Sequence, residues 1–495
     1  SRVRTRNGFP RRLVYVVNRR TVVDQATREA EGLRKALLNK PKLQRVAELL
    51  RPLGARASDA PLAISTLRGQ FADNAEWRDD PARPAVIVGT VDMIGSRLLF
   101  SGYGRGFKTR PLHAGFLAQD ALLVHDEAHL EPAFQELISS IESEQQRCRE
   151  FGCFRVVALT ATPRGDGEEG LVLTDADRKH AEVRKRIKAK KGIVFLPVDD
   201  DKKLPERVAE RALKHKNSGQ AILVFLRKLE DVEKVAGQLA KTSTAQALTG
   251  TMRGLERDAL AKDDAVFARF LPEVKRVAPP EKGTVYLVCT SAGEVGVDMS
   301  ADHLVCDLSP FDSMAQRFGR VNRFGNGDAW IDVVHVSPSK SAGTEVGPDT
   351  ADSSDGVGHG GPKKGKSKAP SPFDQRCART LSLLQQLHQR EDQRYDASPA
   401  AIGALPAADR QAAFTPQPAV LPTSEILFDA WALTSIREKL PGRPPVADWL
   451  HGVAEWEPPE THIAWREETS VDASKPAMRG RLKTGHVAAP ETGVV

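Results

Sequence analysis

The chain has 495 residues, with 72 lysines and arginines against 65 aspartates and glutamates, a formal charge of +7. Its hydrophobic content of 40% and charged content of 28% are those of an ordinary folded chain, and its length suggests two to four domains. No apolar run is long enough for a membrane-spanning helix, and Arg2, Arg4 and Arg6 precede no secretory apolar stretch, so a cytoplasmic location without a membrane partner is expected. The slight basic excess suits a polyanionic partner without requiring one. Cys148, Cys153, Cys289, Cys306 and Cys377 are odd in number and lack zinc-type pairing, so they read as reduced thiols.

In chain order, residues 13–17 read as a buried strand and 24–38 as a helix, followed by strands at 85–88, 121–124 and 155–159. Short apolar strands separated by helices predict a parallel sheet covered on both faces over residues 1–165. Polar residues fall just after these strands: Asn18, Arg19 and Arg20, then Gly89 and Thr90, then Asp126 and Glu127, then Thr160 and Thr162. That carboxyl edge is where open α/β sheets bind ligands. Residues 166–203 form a charged connector, and its basic run at 178–191 fits either a nucleic-acid contact or a solvated helix face.

The pattern restarts at 204, with strands expected at 221–226, 284–288, 303–308 and 331–336. This is a second α/β lobe, reaching residue 337. Residues 338–372 collapse into Gly, Ser, Asp, Lys and Pro and predict a disordered linker. A helix is expected at 377–394. A Pro-punctuated tail follows with Trp431, Trp449, Trp456 and Trp465, which suggests a small, mostly helical module within 373–495 whose tryptophans are core rather than base-stacking platforms.

The chemistry lies in two separated motifs. Asp126-Glu127-Ala128-His129 follows a hydrophobic strand, the position of a Walker B acid pair. There Asp126 would hold Mg²⁺ through water, and Glu127 would orient and deprotonate the attacking water. Far downstream, Gln316-Arg317-Phe318-Gly319-Arg320-Val321-Asn322-Arg323 sets Arg320 and Arg323 one helical turn apart. Arginine suits phosphate because its planar fork binds oxygens bidentately and keeps its charge. Gln316, Arg320 and Arg323 would meet the γ-phosphate of a nucleotide held by the first lobe, where an arginine finger is typically worth about 10³–10⁵ in rate.

This ordered set resembles a superfamily-2 helicase with two RecA-like lobes in tandem. The resemblance assigns Asn18, Arg19, Arg20, Thr90, Asp92, Thr249, Thr251, Arg253 and Thr290 to nucleic-acid contact. It assigns His129, Thr160, Thr162, Glu294, Gly296 and Asp298 to coupling between ATP and the track. The segment 101–108 interleaves glycine, aromatics and positive charge, and fits either a single-strand contact or a plain mobile loop. The segments GTVDMIGSRLLFSGYG, VHDEAHL, LTGTMRGLERD and EVGVDMSADHLVCDLSPFDSMAQRFGRVNR resemble the helicase–nuclease of type I CRISPR interference, nearest its I-U (I-G) branch. The likeness runs through residues 11–337 and more loosely 373–467. It implies an ATP- and Mg²⁺-dependent 3′-to-5′ motor on single-stranded DNA, recruited by a crRNA-guided surveillance complex in antiviral defence, with a metal-dependent His-Asp nuclease cutting the reeled strand.

The chain departs from that family in two ways. The phosphate-loop pattern G-x-x-x-x-G-K-[ST] occurs only at Gly360–Ser367, inside the low-complexity segment, and reads as a chance match. The family's loop precedes the Asn18 motif, so the chain reads as a fragment with its first lobe incomplete. The only His-Asp dipeptide, His125-Asp126, belongs to the acid motif, so the nuclease domain is expected elsewhere. Two alternatives remain: another superfamily-2 motor, such as an RNA helicase or restriction translocase subunit, or a non-catalytic nucleic-acid-binding remnant.

Overall fold

In the computed structural model, the described residues are 10–18, 20–56, 60–67, 76–102, 106–149, 153–160, 170, 172–252, 256, 259–260, 263–294, 298–337, 371–436 and 443–453. The apolar runs become two sheets. The first contains β1 (Arg12–Val17), β2 (Ala63–Leu67), β3 (Ala85–Thr90), β4 (Ala121–Asp126) and β5 (Phe154–Leu159), all parallel, in the order β2-β3-β1-β4-β5. The chain leaves β1 toward β3 and β2, then returns past it to β4. The carboxyl ends of β1 and β4 therefore flank a crossover crevice of the kind that binds ligands.

Helix α1 (Arg20–Asn39) covers one face of this sheet. Helices α2 (Val91–Leu98), α3 (Arg110–Ala118) and α4 (Pro132–Arg147) belong to the other layer, where Phe134, Leu137 and Ile138 pack with Val14, Ile87 and Leu123. Thr90 ends β3 and caps α2, its hydroxyl accepting from the Met93 amide at 3.4 Å.

The second sheet has seven strands: β6 (Lys190–Val198), β7 (Ala221–Phe225), β8 (Thr244–Leu248), β9 (Val285–Cys289), β10 (His303–Asp307), β11 (Asp328–Val336) and β12 (Tyr395–Asp396). Their order is β12-β6-β11-β10-β7-β9-β8, parallel except for the β12–β6 pair. Helices α5 (Leu204–Leu213) and α6 (Leu229–Ala240) cover one face, and α7 (Phe311–Phe318) packs into the core on the other. These are two α/β lobes with parallel sheets. All five cysteines are free thiols, and no helix among the described residues is long and apolar enough to cross a membrane.

The structure departs from the sequence reading in three places. The second sheet takes in Lys190–Val198, so this lobe begins inside the stretch read as a connector. The helix expected at 377–394 is α8 (Pro372–Leu384), begun by a reciprocal Ser371/Asp374 cap with Pro372 in its first turn. Beyond it, long-range contacts capture the chain for the sheet: Arg390 grips Asp328 through two bonds of 2.9 and 2.6 Å, and Arg394 lies 3.8 Å from the Trp330 ring centroid.

Third, the described part of the carboxy-terminal module divides between the lobes. Leu383, Leu384, Leu387 and Phe414 join the second lobe's core. Trp431, Trp449 and Leu450, on α9 (Glu425–Ala432) and α10 (Ala447–His451), join the first lobe's core. The rings of Trp431 and Trp449 meet edge-on at 5.1 Å, and each indole donates to a proline carbonyl, Pro444 and Pro422 respectively. A side chain on Gly95 would collide with Leu450. His451 then bridges Asp92 at 2.8 Å and Glu131 at 3.4 Å, hydrogen bonds that push its imidazole up to about 10. Trp456, Trp465 and the expected linker at 338–370 lie outside the described residues.

Two predictions follow from this packing. Trp431 is fully buried, so Trp431→Ala should cost about 3–5 kcal/mol in the unfolding transition that also reports the first lobe, measured by denaturant titration. An unchanged first-lobe transition would mean that the segment does not share its core.

The second concerns pH. His303 stacks on His215 with centroids 4.5 Å apart. Burial, then the charge of His215, pushes His303 down to about 4. A histidine that is depressed in the folded state favours folding while neutral. Its contribution is complete above the unfolded value near 6.5 and is lost as pH falls from there through about 4. Urea midpoints for the second lobe should therefore fall between pH 7 and pH 4.5, with a shallower fall in His303→Gln.

Candidate active site

A cleft of about 560 Å³ lies between the carboxyl end of the first sheet and the turn that follows α7 in the second lobe, and its lining includes Tyr15, Asp126, Glu127, Asp298, Arg320 and Arg323. Asp126 is the last residue of β4. Its Oδ2 accepts a 2.8 Å hydrogen bond from the Tyr15 hydroxyl on neighbouring β1. Burial, then this hydrogen bond, raises the Tyr15 phenol above its ordinary value, keeping it a donor. Glu127 adopts the left-handed conformation, φ 54° and ψ 45°, a strain uncommon outside glycine and concentrated at functional sites.

Glu127 is raised above the ordinary carboxyl range by burial and then by the charge of Asp126. Arg320, Arg323 and Gln316 of the opposite lobe pull it back. Yet neither Glu127 Oε2 nor Gln316 Nε2, both buried, completes a hydrogen bond of ordinary geometry. His129 Nδ1 lies 3.5 Å from that glutamate oxygen and 3.1 Å from Thr160 Oγ1. His129 is thus bonded within the first lobe, linking the acid motif to the end of β5.

In the second lobe the arginine segment follows α7. Arg317 is buried, its Nε 2.8 Å from Glu294 Oε1 and its Nη1 2.8 Å from Asp307 Oδ1. Burial opposes its charge, but Glu294 and Asp307 outweigh that and push the guanidinium above its ordinary value. The Glu294 carboxylate also accepts from Ser313, while its backbone oxygen takes both Nε and Nη2 of Arg320 at 3.0 and 2.7 Å. Arg320 is therefore held flat against the lobe. Burial, then repulsion from Arg323, brings it down to about 10. Arg323 is the more exposed of the two, at 40%, and lies 3.3 Å from Asp298, which Lys275 also meets at 3.1 Å.

The remaining residues singled out from sequence are dispersed. Asn18 follows β1 at the carboxyl edge of the first sheet, and Asp92 pairs with His451. Thr249 and Thr251 face each other at 3.0 Å after β8, and Thr290 caps the turn after β9. Arg19, Thr162, Arg253 and Gly296, the Arg20 side chain, and the Gly360–Ser367 match lie outside the described residues. Sequence reasoning missed Tyr15, Arg317 and Asp307. Tyr15 lies inside an apolar strand and Arg317 beside two arginines with a clearer purpose, so neither carries a local signal.

Among the described residues no group of three or more His, Cys, Asp or Glu side chains is arranged to hold a metal by itself. The donor set fits a Mg²⁺ that takes one or two carboxylates and completes its shell with phosphate and water. Asp126 and Glu127 are adjacent, and a buried oxygen of Glu127 lacks a hydrogen bond.

The fold is that of tandem RecA-like lobes, and part of the chain is similar to the Cas3 helicases. Residues 218–326 match the family model for the C-terminal part of the CRISPR-associated nuclease/helicase Cas3. The CRISPR-associated nuclease/helicase Cas3 of Haloferax volcanii is 26% identical over 180 residues, 36% of this chain and 18% of that protein. The crystal structure of T. fusca Cas3 with AMPPNP superposes with a TM-score of 0.50 at 14% identity, covering 81% of this chain and 46% of that one. DNA-bound MrfA, a DUF1998 helicase, aligns with a TM-score of 0.40 at 17% identity over 66% of this chain and 40% of its own. The matches together support a Cas3-type helicase. The chain spans less than a fifth of the curated relative and less than half of the solved T. fusca protein.

Arg317 generates the site's own prediction. Arg317→Ala leaves Glu294 and Asp307 facing each other uncompensated, so the second lobe should lose about 3–5 kcal/mol. Chemical denaturation of the variant measures it, and a loss under about 1 kcal/mol would mean that the network is incidental.

Proposed function

We propose that this chain is the motor portion of an ATP-dependent single-stranded-DNA translocase of type I CRISPR defence, which unwinds target DNA for degradation. One observation carries the nucleotide part of the reading. Half-buried Glu127 of one lobe sits in the field of Gln316, Arg320 and Arg323 of the other, in the lining of a shared cleft. A base with a raised pKa opposite fixed positive charge is what phosphoryl transfer to water requires.

Asp126 and Glu127 would hold Mg²⁺, which would neutralise charge on the β- and γ-phosphates. Tyr15 orients Asp126 by donating to its Oδ2. Glu127 takes the proton of the attacking water, Gln316 orients that water, and Arg323 and Arg320 offset charge developing on the γ-phosphate. Closure of the lobes on the nucleotide would pass through His129 and Thr160 toward a DNA track along the carboxyl edges, bordered by Asn18, Thr249, Thr251 and Thr290. The similarity to Cas3 supports DNA as the track and a crRNA-guided complex as the recruiting partner.

A phosphate loop supplies much of the binding for β- and γ-phosphates, and the only such pattern in this sequence lies at Gly360–Ser367 in low-complexity surroundings. The 495-residue chain alone is therefore expected to turn over ATP slowly or not at all, and robust turnover would overturn that expectation.

In the full-length protein, Glu127→Gln should reduce single-strand-stimulated ATP hydrolysis by about 10²-fold or more while DNA affinity stays within twofold. Surviving turnover would remove Glu127 from its role. Stimulation by RNA in preference to DNA would favour another superfamily-2 motor.

A further inference from the structure

The arginine segment is held from behind by the first residues of β6. Lys191 is buried at 2% exposure, and its Nζ donates at 2.7 Å to the carbonyl of Phe318, the last residue of α7. The contact joins positions 127 residues apart. One residue earlier, the Lys190 carbonyl accepts from Asn322 Nδ2 at 3.0 Å. Asn322 adopts a positive φ of 40° and closes its own turn with two bonds to Gly327 at 2.7 and 3.1 Å.

A third anchor comes from Ala301, whose N–H donates to Arg320 O and whose carbonyl accepts from Asn322 N, at 2.8 and 2.9 Å. Arg320 and Arg323 thus project from a five-residue turn, 319–323, whose backbone is tied on both sides.

The Lys191 ammonium is unusual among these ties. Burying a charge is costly unless a counter-charge accompanies it. Among the described residues no carboxylate lies within ion-pair distance of Nζ. The charge that acts on it most is Arg323, which with burial brings Lys191 down to about 8. What offsets the burial is the Phe318 carbonyl at the negative end of α7, which accepts from the ammonium. Phe318 O also receives the Val321 amide at 3.3 Å, so it keeps a partner if the lysine is removed. An apolar residue of similar size would fill the site at least as stably. A lysine here is therefore better explained by what it does for the arginines than by what it does for the fold.

We propose that Lys191 is a positioning residue for the nucleotide site, fixing the Phe318–Asn322 turn and adding positive potential behind Arg320 and Arg323, so that the cleft prefers the γ-phosphate of a nucleoside triphosphate. The proposal rests on the reading of the cleft as a nucleotide site. Lys191 touches no substrate atom; it acts through the turn.

The test measures dissociation constants of Mg·ATP and Mg·ADP for the full-length protein as wild type, Lys191→Met and Lys191→Arg, with thermal unfolding of each. Wild type should bind ATP more tightly than ADP. Lys191→Met should reduce that preference about fivefold through ATP alone, with ADP affinity within twofold and the unfolding temperature unchanged or raised. Lys191→Arg should restore at least half of the lost preference.

An unaltered ATP/ADP ratio in Lys191→Met overturns the positioning role. So does an equal loss of both nucleotides with a lowered unfolding temperature, which is what a purely structural lysine gives. A wild-type chain that binds ATP and ADP equally, or neither, overturns the nucleotide reading itself, and the role of Lys191 with it.

Discussion

The second lobe's half of the site hangs on one buried cation. Arg317 ties three segments that are distant in sequence: Glu294 after β9, Asp307 at the end of β10, and α7 itself. A guanidinium suits this because its fixed fork presents several donors in one plane and it cannot relieve burial by losing a proton. Arg320 lies against the backbone oxygen of the same Glu294, so its direction is inherited from the network. Among the described residues the Arg323 side chain, one turn further on, meets the half-exposed Asp298 as its ion-pair partner. The arginines thus grade from buried and fully bonded to exposed within seven residues, and the exposed one is best placed to meet a ligand.

The first lobe solves the opposite problem, keeping a carboxylate half-buried and unspent. The backbone at Glu127 turns through a left-handed conformation immediately after a regular strand, which swings the side chain away from the sheet. Tyr15 occupies Asp126, so the two acids do not share one environment. The raised pKa of Glu127 reflects burial more than its neighbour. Proton uptake by such a group becomes easier as the cleft dries, whereas approach of Arg320 and Arg323 works the other way. Closure of the lobes therefore acts on Glu127 in two opposite senses, through drying that favours the protonated form and arginines that disfavour it.

Much of this was legible in the sequence wherever the signal is local. Strands β1, β3, β4, β5, β7, β9, β10 and β11 were legible as mainly apolar runs, although Arg155 interrupts β5 and Asp332 and His335 interrupt β11. Strands β2 and β8 were not read, because Ala63–Leu67 and Thr244–Leu248 are short and partly polar. Strand β6 was hidden by its Lys190-Lys191 start, which continues a basic run from the preceding helix. The acid pair and the arginine pair announce themselves by spacing. Their supports do not: Tyr15, Asp307, Arg317 and Lys191 acquire meaning only from partners between 10 and 127 residues away. The carboxy-terminal tryptophans illustrate the same limit. Composition identified them as core, but not which core.

That division of the carboxy-terminal segment bears on how the lobes can move. Thr415 is tied to Asp312 of the second lobe by its amide and hydroxyl, at 3.0 and 2.9 Å. Within a few residues Pro422 receives the Trp449 indole above the first lobe. The chain between these anchors is too short to allow wide separation, at most ~3.5 Å per residue. A hinge with such a strap restricts opening while leaving closure free. The strap ends at His451, whose two carboxylate partners are Asp92, two residues past β3, and Glu131, at the start of α4 just beyond the acid motif. Any shift of the acid motif's loop is therefore felt by a segment rooted in the other lobe. The coupling is carried by the covalent chain and one imidazole, in addition to whatever bridges the cleft.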